Sequence, residues 1–555
     1  MIIRKVLKLI WDTFWIEVDF VNWWWRTASL RGKDDVQEIG TVLFCNLNTM
    51  ISVTKVDALF ATALAARGYK PIFLLRNRSR AIMRLISSCT YARFLFLEDY
   101  MTNELLHTAR QQATNLLGSA PDLEALLNIE VDGFRTGRNV QSRVVRSLRV
   151  GQLDYENTLH LKALLEALVE SLAVGQVAIR LLETLTPDKA IFLEKGYTPA
   201  AEIYDACLLN GVDVVQWCSA PQDDHIILKR YSLANRAVHP LSLGDDSWAE
   251  ICSVPWSLQK DNLVREKIAS HYLSGAWYNR QQLQTGKKFI SPELIRSRLG
   301  VKSGRKLAVI FAHIMYDATF FYGSSLFSNY ERWLVETVRC AIANPNLHWL
   351  VKVHPVNVWR SQMDGAVMEQ LELQVLTREF GDLPEHVTIM SADTEINTYS
   401  LFSILDYGLT VRGTIGMELP CFGVPVVTAG TGRYSGRGFT IDPIDSDDYV
   451  KLLSDLHIHS FLSAEMVSLA CRYAYGTFFM RPYPLSSFKL VDDHSWFRGL
   501  ATLKQNLNLD TQTLAMAMHD GDLAGIANFV IDESRTELLL ENEFYSRAHC
   551  VESVC

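Results

Sequence analysis

Residues 405–440 read LDYGLTVRGTIGMELPCFGVPVVTAGTGRYSGRGFT. The order predicts a strand over Tyr407–Val411, a glycine turn, a short helix carrying Glu418, a buried strand over Val424–Thr428 and a second glycine loop. Gly413 and Gly416 bracket Thr414 at the helix start. Glycine lets a backbone approach a ligand closely or take positive φ. A helix N-terminus offers free N–H groups and partial positive charge, which suit a phosphate. The second loop, with Gly430, Gly432, Gly436 and Gly438, adds Arg433, Tyr434 and Arg437. The segment therefore reads as an anion cradle, a carboxylate one turn in, and a cationic loop. Gly-x-x-Gly is not the dinucleotide fingerprint, and no Gly-Lys-Ser/Thr follows. Glycines after strands also serve packing alone.

Working outward, the same strand–helix rhythm fills both halves. Thr41–Leu47 is a predicted strand, Ser52 a cap for a helix ending at Gly68, and Lys70–Leu75 the next strand. A strand, helix and strand of this length make a βαβ unit and a parallel sheet. Phe94–Leu97, Lys189–Leu193 and Val212–Trp217 continue it, with mainly helical residues at 100–186 and a Thr198-Pro199 helix start. The polar turn at 302–305 marks a boundary. Lys306–Ala312, Trp349–Val353 and Val387–Met390 are then strands, and Asn329–Ala343 a helix. Beyond residue 445 the pattern is helical, with Ser446 and Ser463 as caps. The division expected is 1–36, an aromatic helix; 37–300, a first Rossmann-like domain with a helical insertion; 301–460, a second; and 461–555, helices and tail.

A chain of 555 residues suggests about two to four domains at roughly 150 residues each. A net charge of −8 argues against general nucleic-acid binding. The ten cysteines include no Cys-x-x-Cys and no zinc spacing, and read as reduced thiols of a cytoplasmic protein. In residues 1–30, Arg4, Lys5 and Lys8 precede a run ending Trp23-Trp24-Trp25, broken by Asp12, Glu17 and Asp19. That excludes a spanning helix. An interfacial helix on the inner membrane surface and an aromatic helix packed on the body both fit.

The chemistry-bearing residues sit at strand ends. Lys352-Val353-His354-Pro355 follows a strand directly; lysine supplies a point charge for phosphate, and histidine a hydrogen bond or a proton. A snorkelling lysine and a turn-capping histidine fit the same residues. Asp317 lies in the loop His313–Gly323, and Glu194 follows a strand of the first half.

The combination KVHP, TVRGTIGME, GVPVVTAG and GRYSGRGFT resembles the capsule polysaccharide biosynthesis family, which includes Kdo-transferase-like proteins of GT-B architecture. The likeness covers about residues 40–500. It implies two Rossmann-like domains facing across a cleft, with helices added at both ends. It implies a glycosyltransferase using a nucleotide-sugar donor and a polysaccharide or glycolipid acceptor. Carried over by position, Lys352 and His354 would meet the donor phosphate or sugar. Arg412, Gly413, Thr414 and the N–H groups near Gly416 would receive phosphate oxygens. Glu418 would bond a ribose or sugar hydroxyl, and Tyr434 and Arg437 would close over the donor. No Asp-x-Asp stands at a strand end of the second half, so neither metal nor other cofactor is expected. For the base that deprotonates the acceptor, Asp317 is the first candidate, with Glu194 and His354 beside it. A cap or an ion-pair role fits each carboxylate as well. A non-hydrolysing nucleotide-sugar epimerase and a non-catalytic scaffold of a polysaccharide assembly are the competing readings.

Overall fold

The computed structural model describes residues 17–30 except 19 and 22, residues 36–487 except 49, 223, 275, 278–280, 285, 357, 359–369 and 460, and residues 518–540 except 519. The aromatic stretch before residue 17 and residues 488–517 and 541–555 of the expected helices and tail lie outside these residues.

The α/β architecture with two Rossmann-like units is the one observed. The first unit contains β1 (Gly40–Asn46), β2 (Tyr69–Leu75), β3 (Arg93–Phe96), β4 (Lys189–Phe192), β5 (Asp213–Ser219) and β6 (His225–Tyr231). The second contains β7 (Leu307–Phe311), β8 (His348–Lys352), β9 (Val387–Met390), β10 (Tyr407–Thr410) and β11 (Val426–Thr428). A late strand, β12 (Tyr483–Pro484), returns to the first sheet. The orders are β12-β6-β5-β4-β1-β2-β3 and β9-β8-β7-β10-β11. The five parallel strands of each sheet thus share one plan, 3-2-1-4-5. Register fixes which side chains meet: Leu43 lies opposite Ile72 and Ala190, and Val309 opposite Leu350 and Gly408. Leu-Ala-Val-Ile-Phe of β7 is buried throughout, as a strand covered on both faces must be.

In an open sheet of this order, the chain leaves the first strand one way and the fourth the other. The crevice at their C-terminal ends is where ligands bind. In the second sheet that crevice lies between β7 and β10. Their outgoing loops carry His313 and Arg412.

Core membership does not follow the chain in blocks. Val264, Ile268 and Ile295 pack with Leu307, Val309 and Leu350, so helices on both sides of the 302–305 turn cover the second sheet. Ala470, Cys471 and Tyr473 of the helix Ala464–Tyr475 join the same core. The chain then crosses back, and the helix Asp522–Ile531 buries Leu523, Ile526 and Phe529 with Phe60 and Trp217 in the first core. Leu538 packs against the first core and Leu539 lies in the second.

Several local readings need correction. Asn48 Oδ1 accepts the Met50 N–H at 2.9 Å, so the helix begins at Ile51 and Ser52 does not cap it. The Thr198–Pro199 peptide is cis and the helix starts at Ala200; the Thr198 hydroxyl donates to Glu202 at 2.8 Å. Asp445, not Ser446, caps the later helix, its carboxylate accepting the Asp448 N–H at 2.8 Å. β6 went unread because Lys229 and Arg230 interrupt its apolar run. In the fold Lys229 pairs with buried Glu537, and Arg230 with Asp213.

Among the described residues no helix is long and apolar enough to cross a membrane. Of the tryptophan triplet, Trp23 is buried and its indole N–H donates to Leu85 O at 3.2 Å, whereas Trp24 and Trp25 are 40% and 65% exposed.

Candidate functional site

β7, β8 and β10 end side by side, and their outgoing loops surround a cavity of about 290 Å³. This lies near the lower end for small-molecule clefts. β7 delivers His313 and Asp317, β8 delivers Lys352 and His354, and β10 delivers Arg412, Gly413 and Thr414; Arg433 comes from the second glycine loop. His239, from the segment after β6, lines the same space, and its N–H donates to Gly432 O at 2.8 Å.

Arg412 is 4% exposed. One Nη donates to Ser324 O at 3.1 Å and to the Ser325 hydroxyl. Among the described residues its Nε and other Nη make no well-formed hydrogen bond, although the Tyr330 hydroxyl stands close to the guanidinium. Arg433 repeats the pattern: one Nη donates to Arg412 O at 3.3 Å, and the other is buried without a partner. Buried donors are nearly always bonded, and leaving one unmet costs about 1–3 kcal/mol, more when charged. Two such groups on one cavity wall therefore call for an acceptor from outside the chain.

His313 is fixed as an acceptor on this wall, its Nε2 taking the Val411 N–H at 3.0 Å while its ring stacks on Tyr330 at 4.5 Å. Burial, reinforced by Arg412, His354 and Arg433, pushes its pKa well below the ordinary value, so it is neutral. Burial and the neighbouring arginines do the same to His239. Burial, with Lys287 adding repulsion, lowers Lys352 to about 7.

Asp317 is the acid of this wall. It reaches toward the first unit, where Oδ1 accepts from the Tyr197 hydroxyl at 2.9 Å, and Tyr197 in turn accepts the Ala318 N–H at 3.0 Å. The Arg146 guanidinium stands 3.8 Å from Asp317 and 3.7 Å from Glu194, with the Tyr197 ring 4.4 Å away. Glu194 is thereby tied to the same cluster but does not line the cavity.

Of the residues singled out in the sequence, Asp317, Lys352, His354, Arg412, Gly413 and Thr414 share the cavity, and Gly416, Glu418, Tyr434 and Arg437 stand outside it. A Cβ at Gly416 would lie 2.0 Å from the Tyr434 hydroxyl, so this glycine makes room for packing. Tyr434 is 1% exposed and donates to Gly413 O at 2.6 Å, bracing the turn from beneath. Glu418 is fully buried and accepts from the Tyr272 hydroxyl at 2.5 Å; Tyr272, not Glu418, faces the cavity. Arg437 turns away to Leu243 O at 2.7 Å and Asp245 at 2.8 Å. Sequence reasoning missed His239, Tyr272, Tyr197 and Arg146, which carry no local motif. His313 and Arg433 lay within stretches it had marked. Among the described residues no group of three or more His, Cys, Asp or Glu could hold a metal ion.

No family model and no curated protein matches this chain. Among solved structures, the KpsC beta Kdo 2,4 transferase of Thermosulfurimonas dismutans is similar at 14% identity and a TM-score of 0.31, over 53% of this chain and 81% of its own. Anabaena HepE, solved with UDP and glucose, is similar at 9% identity and a TM-score of 0.26, over 79% and 96%. The UDP-GlcNAc 2-epimerase of Neisseria meningitidis, solved with UDP-GlcNAc, is similar at 12% identity and a TM-score of 0.24, over 78% and 95%. At these values they remain likenesses, and the fold stands on the strand orders themselves.

Proposed function

We propose that the chain is a glycosyltransferase that takes a nucleotide-sugar in this cleft and passes the sugar to a hydroxyl of a surface polysaccharide or glycolipid. The observation that carries the reading is the unmet guanidinium N–H groups of Arg412 and Arg433 at the β7/β10 crevice. They await an anion, and the crevice is where sheets of this order hold nucleotides.

In this reading the donor phosphate accepts from Arg412 and Arg433, with Lys352 alongside. As the bond from the anomeric carbon to the phosphate oxygen breaks, the electron pair goes to that oxygen, and fixed cationic donors stabilise the charge where it develops. The acceptor hydroxyl forms the new bond to the same carbon and gives its proton to Asp317, oriented by Tyr197. Arg146 joins Glu194 to Asp317, so Glu194 serves as a supporting charge. His354 lines the donor side.

The test is thermal unfolding of the whole chain with UDP, GDP and CMP. A nucleotide at one hundred times its Kd should add about 2.7 kcal/mol of stability and raise Tm. One of the three is expected to do so. If none shifts Tm at millimolar concentration, the cleft is not a nucleotide site.

A further inference from the structure

β8 ends on Lys352, 6% exposed and lining the cavity. An ammonium group so placed is ordinarily paired with an acid. Among the described residues the neighbouring charge felt by Lys352 is Lys287, of the same sign, whose own Nζ donates to Ala392 O at 3.0 Å. The cavity's acid, Asp317, is engaged by Tyr197 and Arg146. Its phenol Tyr272 is engaged by Glu418. Its remaining charged groups, Arg412 and Arg433, are cations; of its four imidazoles His239, His271 and His313 are held neutral, and His354 follows Lys352 on the same strand end. Among the described residues no acid compensates a charge on Lys352.

We propose that Lys352 stands in the empty cleft as a neutral amine and takes one proton from solvent when a phosphate-bearing ligand arrives, so that ligand capture is coupled to protonation. The inference rests on the reading of the cleft as a nucleotide-sugar site and adds a property of it.

The sign follows from the group's environment. Burial and Lys287 lower the ammonium to about 7 when the site is empty. A phosphate oxygen alongside favours the charged form and raises it again. Below pH 7 the lysine is already protonated, and binding draws no proton. Above it, binding must take one up, and affinity falls ~tenfold per pH unit until the ligand-bound pKa is passed.

The experiment is titration calorimetry of UDP, GDP, CMP and pyrophosphate into the full chain at pH 6.5, 7.5 and 8.5, each in two buffers of different ionisation enthalpy. For whichever probe binds, uptake should approach one proton at pH 8.5, with Kd ~tenfold weaker there than at pH 7.5. Lys352→Arg, permanently charged, should bind with no uptake above pH 7.5 and a Kd constant within about twofold. Should that variant fail to fold, Lys352→Met supplies the control: weaker binding, without uptake. Binding to the wild-type chain with no uptake overturns the coupling and leaves the nucleotide reading standing. Uptake that persists in the lysine variants assigns the proton to a histidine and overturns it too. No binding of any probe at any pH removes the nucleotide reading itself, and the coupling with it.

Discussion

The two sheets have the same strand order but treat their charges in opposite ways. At the C-terminal edge of the first, Lys195 donates to Arg236 O at 2.8 Å and Val238 O at 3.2 Å and lies 3.4 Å from the Tyr231 ring centre. Arg135, packed nearby, is paired with Asp205 at 3.0 Å. Arg135 thus has its acid within the fold, and Lys195, whose pKa burial pushes well below the ordinary value, has carbonyl acceptors for its N–H groups. At the corresponding edge of the second, among the described residues, Arg412 and Arg433 keep unmet donors and Lys352 has no acid. A buried charge that is satisfied holds structure together; one left unsatisfied beside a cavity is kept for a ligand. The contrast separates the two edges without reference to any motif.

The sharpest way to break that comparison is to make one change on each side. Arg135→Met strands the Asp205 carboxylate, which is fully buried, and should cost about 3–5 kcal/mol of stability, as breaking a buried pair does. Arg412→Met removes a charge that the empty protein does not fully satisfy. It should lower unfolding stability by much less and abolish the nucleotide-induced rise in Tm, a loss of about 1.5–3 kcal/mol of binding for hydrogen bonds to a charged group. Urea unfolding of both variants, with and without the nucleotide that binds, measures both effects. Equal loss of stability in the two would mean that Arg412 is structural.

How much of this was legible beforehand depends on how local each signal is. Strand ends are local: apolar runs read as ending at Val353, Val411 and Ala312 locate the edge of a sheet from sequence alone, each one residue past the observed end. The glycine segment marked the turn that holds Gly413 and Thr414. It did not show which face each side chain would take. Arg433 and Arg437 look interchangeable in the sequence, yet one meets the cavity and the other Asp245. Gly416 reads like a phosphate-binding glycine, but its missing Cβ is filled by the Tyr434 hydroxyl from 18 residues on. His239, Tyr197 and Arg146 reach the site only through tertiary contacts with loops of the other unit, and no spacing rule encodes those. β6 was hidden because the acid that pairs with its Lys229, Glu537, lies 308 positions away, while Arg230 pairs with Asp213 of the neighbouring strand.

A smaller effect sharpens the comparison at two glycines, one on each edge. A Cβ at Gly196 would lie 2.4 Å from the Phe321 ring, and one at Gly416 would lie 2.0 Å from the Tyr434 hydroxyl. Both Ala variants overpack and should lose about 1–3 kcal/mol. Their functional consequences should differ. Gly416→Ala displaces the tyrosine that braces Gly413 and should weaken nucleotide binding. Gly196→Ala presses on the loop that carries Asp317 and should slow transfer while leaving the nucleotide Kd nearly unchanged. Calorimetry and single-turnover transfer separate the two.

The smallest expected change concerns the bond that joins the edges, Tyr197 to Asp317. Tyr197→Phe keeps the ring, and with it the packing on Phe321 at 5.0 Å and the place beneath Arg146. It removes the hydroxyl that donates to Asp317 and accepts from Ala318. That hydrogen bond orients the carboxylate toward the cleft, so its loss leaves Asp317 less well placed to take the acceptor's proton. The transfer rate should therefore fall by about tenfold or less, the scale of one hydrogen bond. Nucleotide affinity should be unaltered, because Tyr197 does not line the cavity. An unchanged transfer rate would mean that Asp317 is not the base, which would then have to be sought at Glu194 or His354.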